Sequence, residues 1–200
     1  MAANINDILT RGLQYNGART ARFTVQTALP ASVQGASTNF EQKLMFTCRA
    51  SSIPSFQVGM VQAPYFGRII KLSGDRIWND WQITVMLDQD YTTRVGFEAW
   101  NNGINALEQN IMLTGASQGG NDFQGYKSTM NIVHYGLDNN PIASYDLIGA
   151  WPAQLGPIQL NWAAQNQISE FDVVIPFDDM LPTTGFQNPL VSGQGYDSLV

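Results

Sequence analysis

The chain has 200 residues, one cysteine and a formal net charge of −6, enough length for one domain to bury its core without disulfide or metal staples. Charged residues make up 13% of it, about half of the roughly 25% usual in soluble domains, so polarity rests on Asn, Gln, Ser and Thr. Lys127 is the only basic residue after position 100, and the acidic balance excludes a nucleic-acid binder that works by neutralising phosphates.

The start, Met1 to Asp7, has neither the basic nor the apolar region of a secretion signal, and no run of about 18 apolar residues offers a membrane anchor. A protein made and kept in a cytosol is expected. Ile5, Ile8, Leu9 and Leu13 have helical spacing and predict a short N-terminal helix. Residues 22–27 read as a strand, 28–42 as a loop and 44–50 as a second strand. That strand holds Cys48, which reads as a small buried or half-buried residue with no histidine or basic cluster nearby to activate it.

Residues 56–72, with Pro64 and Gly67 near the middle, predict either one long hairpin or two strands with a projecting tip. The segment is longer than a compact core requires, and an unprotected edge of this kind invites pairing with another chain. Its candidate inter-subunit residues are Phe56, Val58, Met60, Tyr65, Phe66, Ile69, Ile70 and Leu72.

Gly74-Asp75 predicts a chain reversal, with Asp75, Arg76 and Asp80 placing charge at the entrance of the next strand. In that strand Trp81, Ile83, Val85 and Leu87 share one side while Gln82, Thr84 and Met86 share the other. The main helix follows, with Asp90 as its cap, Tyr91, Val95, Ala99 and Trp100 on its buried side, and Asn101-Asn102-Gly103 closing it. Residues 104–125 read as a long loop, and 127–135 with 143–151 as a hairpin. Ile158, Leu160 and Trp162 alternate as a further strand. A last strand from Ile168 turns Phe171, Val173, Ile175 and Phe177 inward, and Pro176 places its end at a sheet edge. The pattern is mainly β: an antiparallel β-sandwich or barrel with one flanking α-helix, a short N-terminal helix and long loops. Residues 1–180 form the domain and 181–200 a tail.

Several motifs invite a chemical reading that their surroundings do not support. Gly115-Ala116-Ser117-Gln118-Gly119 matches the letters of a nucleophile elbow, which needs a strand before it and a helix after it; here it lies in a glycine-rich loop, and His134, the one histidine, falls in mid-strand. Leu181-Pro182-Thr183-Thr184-Gly185 has five letters of a sorting signal without the apolar segment that follows one. Asp88 and Asp90 suit a strand-to-helix junction, and Asp178-Asp179 lacks any metal-ligand spacing around it. Trp81, Trp151 and Trp162 sit among alternating apolar neighbours and read as buried. No catalytic residue, metal or cofactor is expected.

Two blocks of residues resemble the tail tube proteins of contractile-tailed bacteriophages. The first is Phe46-Thr47-Cys48-Arg49-Ala50, then Ile53-Pro54, then Gly74-Asp75-Arg76 through Asp80-Trp81 to Val85-Met86. The second is Gly149-Ala150-Trp151-Pro152, Leu155-Gly156, Gln159-Leu160-Asn161-Trp162 and Glu170-Phe171-Asp172-Val173. Gly74, Asp75, Arg76, Asp80, Trp81, Trp151, Pro152 and Trp162 are its structural motif residues. The resemblance implies a β-sandwich subunit forming hexameric rings that stack into a hollow tube for genome delivery inside a contractile sheath. It further implies inner strands joined into one barrel, with the 56–72 hairpin making ring-to-ring contact. The implied partners are copies of the chain, the sheath, baseplate and tail-terminator proteins, a tape measure protein in the lumen, and DNA that passes without specific binding. The implied location is the virion tail, assembled in the bacterial host cytoplasm. Segments 28–42, 104–125 and 181–200 are longer than the family pattern.

A tube-initiating baseplate component, or the tube subunit of an injection system, is a near alternative within the same family. A carbohydrate-binding module using Trp78 and Trp100 is an alternative of a different class, and an enzyme built on Ser117 comes last.

Overall fold

The computed structural model describes residues 17–30, 33, 39–108 and 125–184. The expected helix at 5–13, the glycine-rich motif at 115–119 and the tail from 185 lie outside the described residues. In chain order the elements are β1 (Phe23–Thr27), α1 (Phe40–Thr47), β2 (Cys48–Ser51), β3 (Phe56–Tyr65), β4 (Arg68–Trp78), β5 (Trp81–Met86) and α2 (Thr92–Ile104). They continue with β6 (Ser128–Tyr135), β7 (Pro141–Ala150), β8 (Gln154–Leu155), β9 (Glu170–Ile175) and β10 (Asp179–Thr184).

The strands form two open four-stranded sheets, ordered β1-β6-β7-β10 and β2-β5-β9-β8, and a separate two-stranded ribbon, β3-β4. All pairings are antiparallel. Neither sheet closes into a barrel. One apolar core joins both sheets to both helices, with Val25, Met130, Ile132 and Leu147 from the first sheet and Trp81, Ile83, Val85, Phe171 and Val173 from the second. The alternation in β5 works as the sequence implies: Trp81, Ile83 and Val85 are buried, and each faces a buried partner in β9, Ile175, Val173 and Phe171. Leu87, beyond the strand, packs against the same core while partly buried.

Helix α1 occupies part of the segment read above as loop and strand. Phe40 and Leu44, one turn apart, are its buried residues, and the Phe40 ring meets Phe97 of α2 edge-on at 5.0 Å. Tertiary packing therefore decides a segment whose local propensity is ambiguous, and only Cys48–Ser51 remains as strand.

Helix α2 also differs from expectation. Tyr91, with left-handed backbone, holds the N-cap position and makes no side-chain capping bond, so Asp90 is not the cap. Asp88 serves the helix start instead, accepting a hydrogen bond from Thr93 Oγ1 at 3.4 Å. The buried side is Thr93, Gly96, Phe97 and Trp100, while Tyr91 and Val95 are exposed. The helix continues through Gly103 to Ile104, and no left-handed glycine closes it.

Three further expectations are corrected. Gly74-Asp75 lies inside β4 rather than at a reversal; the extra residue there makes a bulge opposite Gly59. Residues 158–162 form no strand; the short strand of that region is β8, upstream of them. Strand β9 lies between β5 and β8 instead of at an edge, and Pro176 follows it, its carbonyl accepting the Trp151 N–H at 3.3 Å. Leu181–Pro182 belong to β10, which pairs with β7, so chain read above as tail continues as sheet to Thr184.

Candidate assembly interface

The ribbon begins where β2 and β5 leave the second sheet. Asn79 ties its two strands at the root: its N–H reaches the Ser55 carbonyl at 3.1 Å and its Nδ2 the Ser55 Oγ at 2.8 Å. Trp78 lies between Phe56, edge-on at 5.5 Å, and Phe177, tilted at 5.9 Å, and the Arg76 guanidinium lies 4.8 Å from the Phe56 ring centre. The strands then run unaccompanied, with Val61 opposite Leu72 and Ala63 opposite Ile70, to a turn at Phe66-Gly67. Both turn residues have positive φ, 43° and 77°, the backbone that two-residue hairpin turns require. Gly67 meets that requirement without strain, and Phe66 beside it is 91% exposed.

At the bulge, a Cβ on Gly74 would stand 3.0 Å from the Gly59 carbonyl carbon. Glycine on both strands is therefore what lets the extra residue fit.

Phe56, Val58, Met60, Tyr65, Phe66, Ile69, Ile70 and Leu72 all lie exposed on this one ribbon. The sequence reading omitted Val61 and Ile77, which are exposed beside them; the bulge at Gly74-Asp75 breaks the alternation before Ile77, so spacing alone did not point to it. Arg68, Lys71, Asp75 and Arg76 are the ribbon's charged residues.

The motif residues are not gathered at one place. Gly74, Asp75 and Arg76 are in the ribbon, and Asp80 is in the link from β4 to β5. Trp81 is fully buried, its indole N–H donating to the Ser52 carbonyl at 2.8 Å. Pro152 is buried and Trp151 half-buried, its ring edge-on to Tyr126 at 5.7 Å. Trp162, read above as buried, is instead fully exposed in a loop. Trp100 is buried and donates to the Tyr126 carbonyl at 2.7 Å, which removes it as a surface aromatic.

The two sheets present different surfaces. None of the strands β1, β6, β7 and β10 contains Lys or Arg, and their acids are Asp146 and Asp179. Asp146 accepts hydrogen bonds from Asn131 Nδ2 and from Thr183 Oγ1 (3.0 Å). On the second sheet Arg49 pairs with Glu170, while Asp172 accepts from Thr84 at 2.7 Å. Asp178, just before β10, is paired with Lys127 at 2.6 Å. His134 lies in β6 with Nε2 2.8 Å from the Arg19 carbonyl oxygen. Among the described residues no group of three or more His, Cys, Asp or Glu is arranged to hold a metal.

The described residues form a mainly β protein carrying an apolar ribbon that, beyond its root at Trp78 and Phe177, no other described strand joins. The family model described as phage tail tube protein matches residues 18–180, and the chain belongs to that family. It is 29% identical over 138 residues to tail tube protein gp19 of Enterobacteria phage T4, covering 68% of this chain and 80% of that one. Among solved structures, its fold is similar to a chain in the anti-feeding prophage baseplate, with TM-score 0.59, 13% identity and coverage of 84% and 97%. It is also similar to a chain of the sheath–tube complex of an extracellular contractile injection system, with TM-score 0.52, 14% identity and coverage of 92% and 99%.

Proposed function

We propose that six copies of this tail tube subunit close a ring, and that rings stack into a hollow conduit for genome delivery inside a contractile sheath. The observation that carries this reading is the β3–β4 ribbon, apolar on both faces and joined to no other strand. A lone two-stranded hairpin is marginal in water, and free apolar edges pair with other chains. Burial against copies gives the ribbon the cover that the described residues do not supply.

The first sheet is the better candidate for the lumen wall. Its edge strands, β1 and β10, have no further strand partner among the described residues, and joining the β1 edge of one copy to the β10 edge of the next removes both edges. Asp146 and Asp179, with no Lys or Arg in the four strands, make a wall that repels phosphate. DNA and a tape measure protein then occupy the lumen without specific binding. Sheath, baseplate and tail-terminator proteins are the remaining partners; sheath and baseplate belong to the assemblies in which similar folds occur. The role is structural, without catalysis or cofactor, in a virion tail assembled in the host cytoplasm. The tube domain runs at least to Thr184, where β10 ends.

Negative-stain microscopy of the purified chain tests the reading. Rings or filaments with a central hole are expected. A monomer at every concentration and ionic strength, with no growth on a baseplate, would overturn it. A count of copies per particle distinguishes a main tube subunit from a tube-initiating one.

A further inference from the structure

The two most exposed large apolar side chains among the described residues, Trp162 and Phe66, stand on features at opposite ends of the second sheet. Strand β5 runs from Trp81, opposite Ile175, to Met86, opposite Glu170. The ribbon enters and leaves at the Trp81 end, through Ser51 of β2 and Trp81 of β5. Strand β8 pairs Gln154 with Val174 and Leu155 with Val173, and so runs toward the Glu170 end. The loop at 157–169 therefore leaves the sheet at that far end before the chain returns as β9.

This loop is built to present a side chain. Gly156 fixes its start, donating to the Asp172 carbonyl at 2.7 Å and accepting from Arg94 Nη1 at 2.8 Å. Ser169 fixes its end, accepting the Leu87 N–H at 2.9 Å. Between them the Asn161 side chain accepts the Ala163 N–H at 2.9 Å and its carbonyl the Ala164 N–H at 3.1 Å, a turn that holds Trp162 out into solvent. Leu160 and Ile168 are exposed on the same loop.

We infer that this loop is the seat for the ribbon of a second copy of the chain, Phe66 of one subunit packing on Trp162 and Leu160 of the next. The inference rests on the stacked-ring reading. A head-to-tail stack needs two different, complementary patches at opposite ends of one molecule. The ribbon tip is the apolar projection at one end, and the 157–169 loop is an anchored apolar surface at the other. Reach is sufficient, because ten residues of extended chain such as β3 span about 33 Å. Charge agrees as well: Arg68 and Lys71 are the only charged residues from position 60 to 72, and positions 157 to 169 carry no charge to oppose them. In the turn that follows Leu87 at the receiving end, Asp88 and Asp90 share the one ammonium of Lys43, at 2.6 and 3.4 Å, which leaves that turn net negative. Large aromatics at the centre of such contacts carry most of their energy.

The test uses the full chain with Cys48→Ala as background. Chains carrying Phe66→Cys are mixed with chains carrying Trp162→Cys, allowed to assemble and treated with a mild oxidant. A cross-linked dimer containing one chain of each kind, absent when either variant is oxidised alone, is the expected result. Stacked rings without that cross-link would overturn the seat while leaving the tube reading in place. Failure to form rings or stacks, in the background chain too, would overturn both. As a second measurement, Trp162→Ala should raise the concentration needed for stacking by about 10- to 30-fold, with ring formation retained. Stacking at the parent concentration would count against the inference.

Discussion

Lys43 Nζ lies 2.6 Å from Asp88 Oδ2 and 2.6 Å from Thr92 Oγ1, clamping α1 to the turn that starts α2. Burial alone would raise the Asp88 pKa; hydrogen bonds from Lys43, Thr92 and Thr93 outweigh it and hold the carboxyl at about 2, below its ordinary 3.8. A folded-state pKa below the unfolded one means that the stabilisation is complete above 3.8 and is lost as pH falls through about 2. Replacing Lys43 with Met should lower the thermal midpoint at pH 7 by about 2–4 °C. The gap between the two proteins should close as the pH drops from about 4 toward 2. Calorimetry across that range checks it; an equal gap at both ends would mean that the lysine stem, and not its charge, holds the helices.

Gly96 sits in the middle of α2, where glycine is about 1 kcal/mol worse than alanine. A Cβ there would fall 2.1 Å from Phe40 Cδ2 and 2.6 Å from Cε2. Both atoms belong to a ring packed in the core, so the ring must move as a body. Overpacking of this kind costs about 1–3 kcal/mol, which exceeds the helical gain. Gly96→Ala should therefore lower the midpoint of urea unfolding, and Phe40→Leu combined with it should cost less than the sum of the two changes. Additive losses would show that the two sites do not share the same space.

These two contacts also mark where the sequence was readable and where it was not. Strands β5 and β9 were legible because one face is buried and the other is not, so period-2 alternation survives in Trp81, Ile83 and Val85 and in Phe171, Val173 and Ile175. Helix α1 was hidden because its buried pair, Phe40 and Leu44, gains its partner only when Phe97 arrives from a helix more than 50 residues downstream. Gly74 looked like a reversal because its use, a close approach to Gly59, is a cross-strand relation that local spacing does not carry. The ribbon was legible as an element, since its length and apolar residues exceed what a core needs. Trp162 was misplaced for the opposite reason: alternation with Ile158 and Leu160 mimics a strand, whereas Asn161 turns the chain.

Burial pushes the Cys48 thiol up to about 12. At pH 8 its thiolate fraction is then on the order of one in ten thousand, against roughly a quarter for a free cysteine. Modification by a thiolate-selective reagent should be at least about 100-fold slower in the folded protein than in urea. The rate should climb only when the chain unfolds, which a parallel circular dichroism trace would reveal. Rapid labelling of folded protein at pH 8 would show a thiol more open than this geometry allows.

The ribbon offers the sharpest separation between folding and assembly, because it pairs with neither sheet. At Gly67 no described atom lies within 4 Å of where a Cβ would stand, but φ is +77°; a Val there faces a backbone penalty of about 1–2 kcal/mol confined to the tip. At Gly74 the obstacle is backbone, the Gly59 carbon at 3.0 Å and oxygen at 3.1 Å, so an Ala must splay the two strands at the bulge. Both changes should leave the thermal midpoint of the isolated subunit within about 2 °C of the parent, because the packed core is untouched. Both should weaken stacking, seen as a shift of sedimenting material from filaments to rings or subunits, with Gly74→Ala the more severe since it displaces everything beyond the bulge. If Gly74→Ala lowered the subunit's midpoint as far as Gly96→Ala does, the ribbon would belong to the folding core, and its exposure could no longer be read as surface kept for another copy.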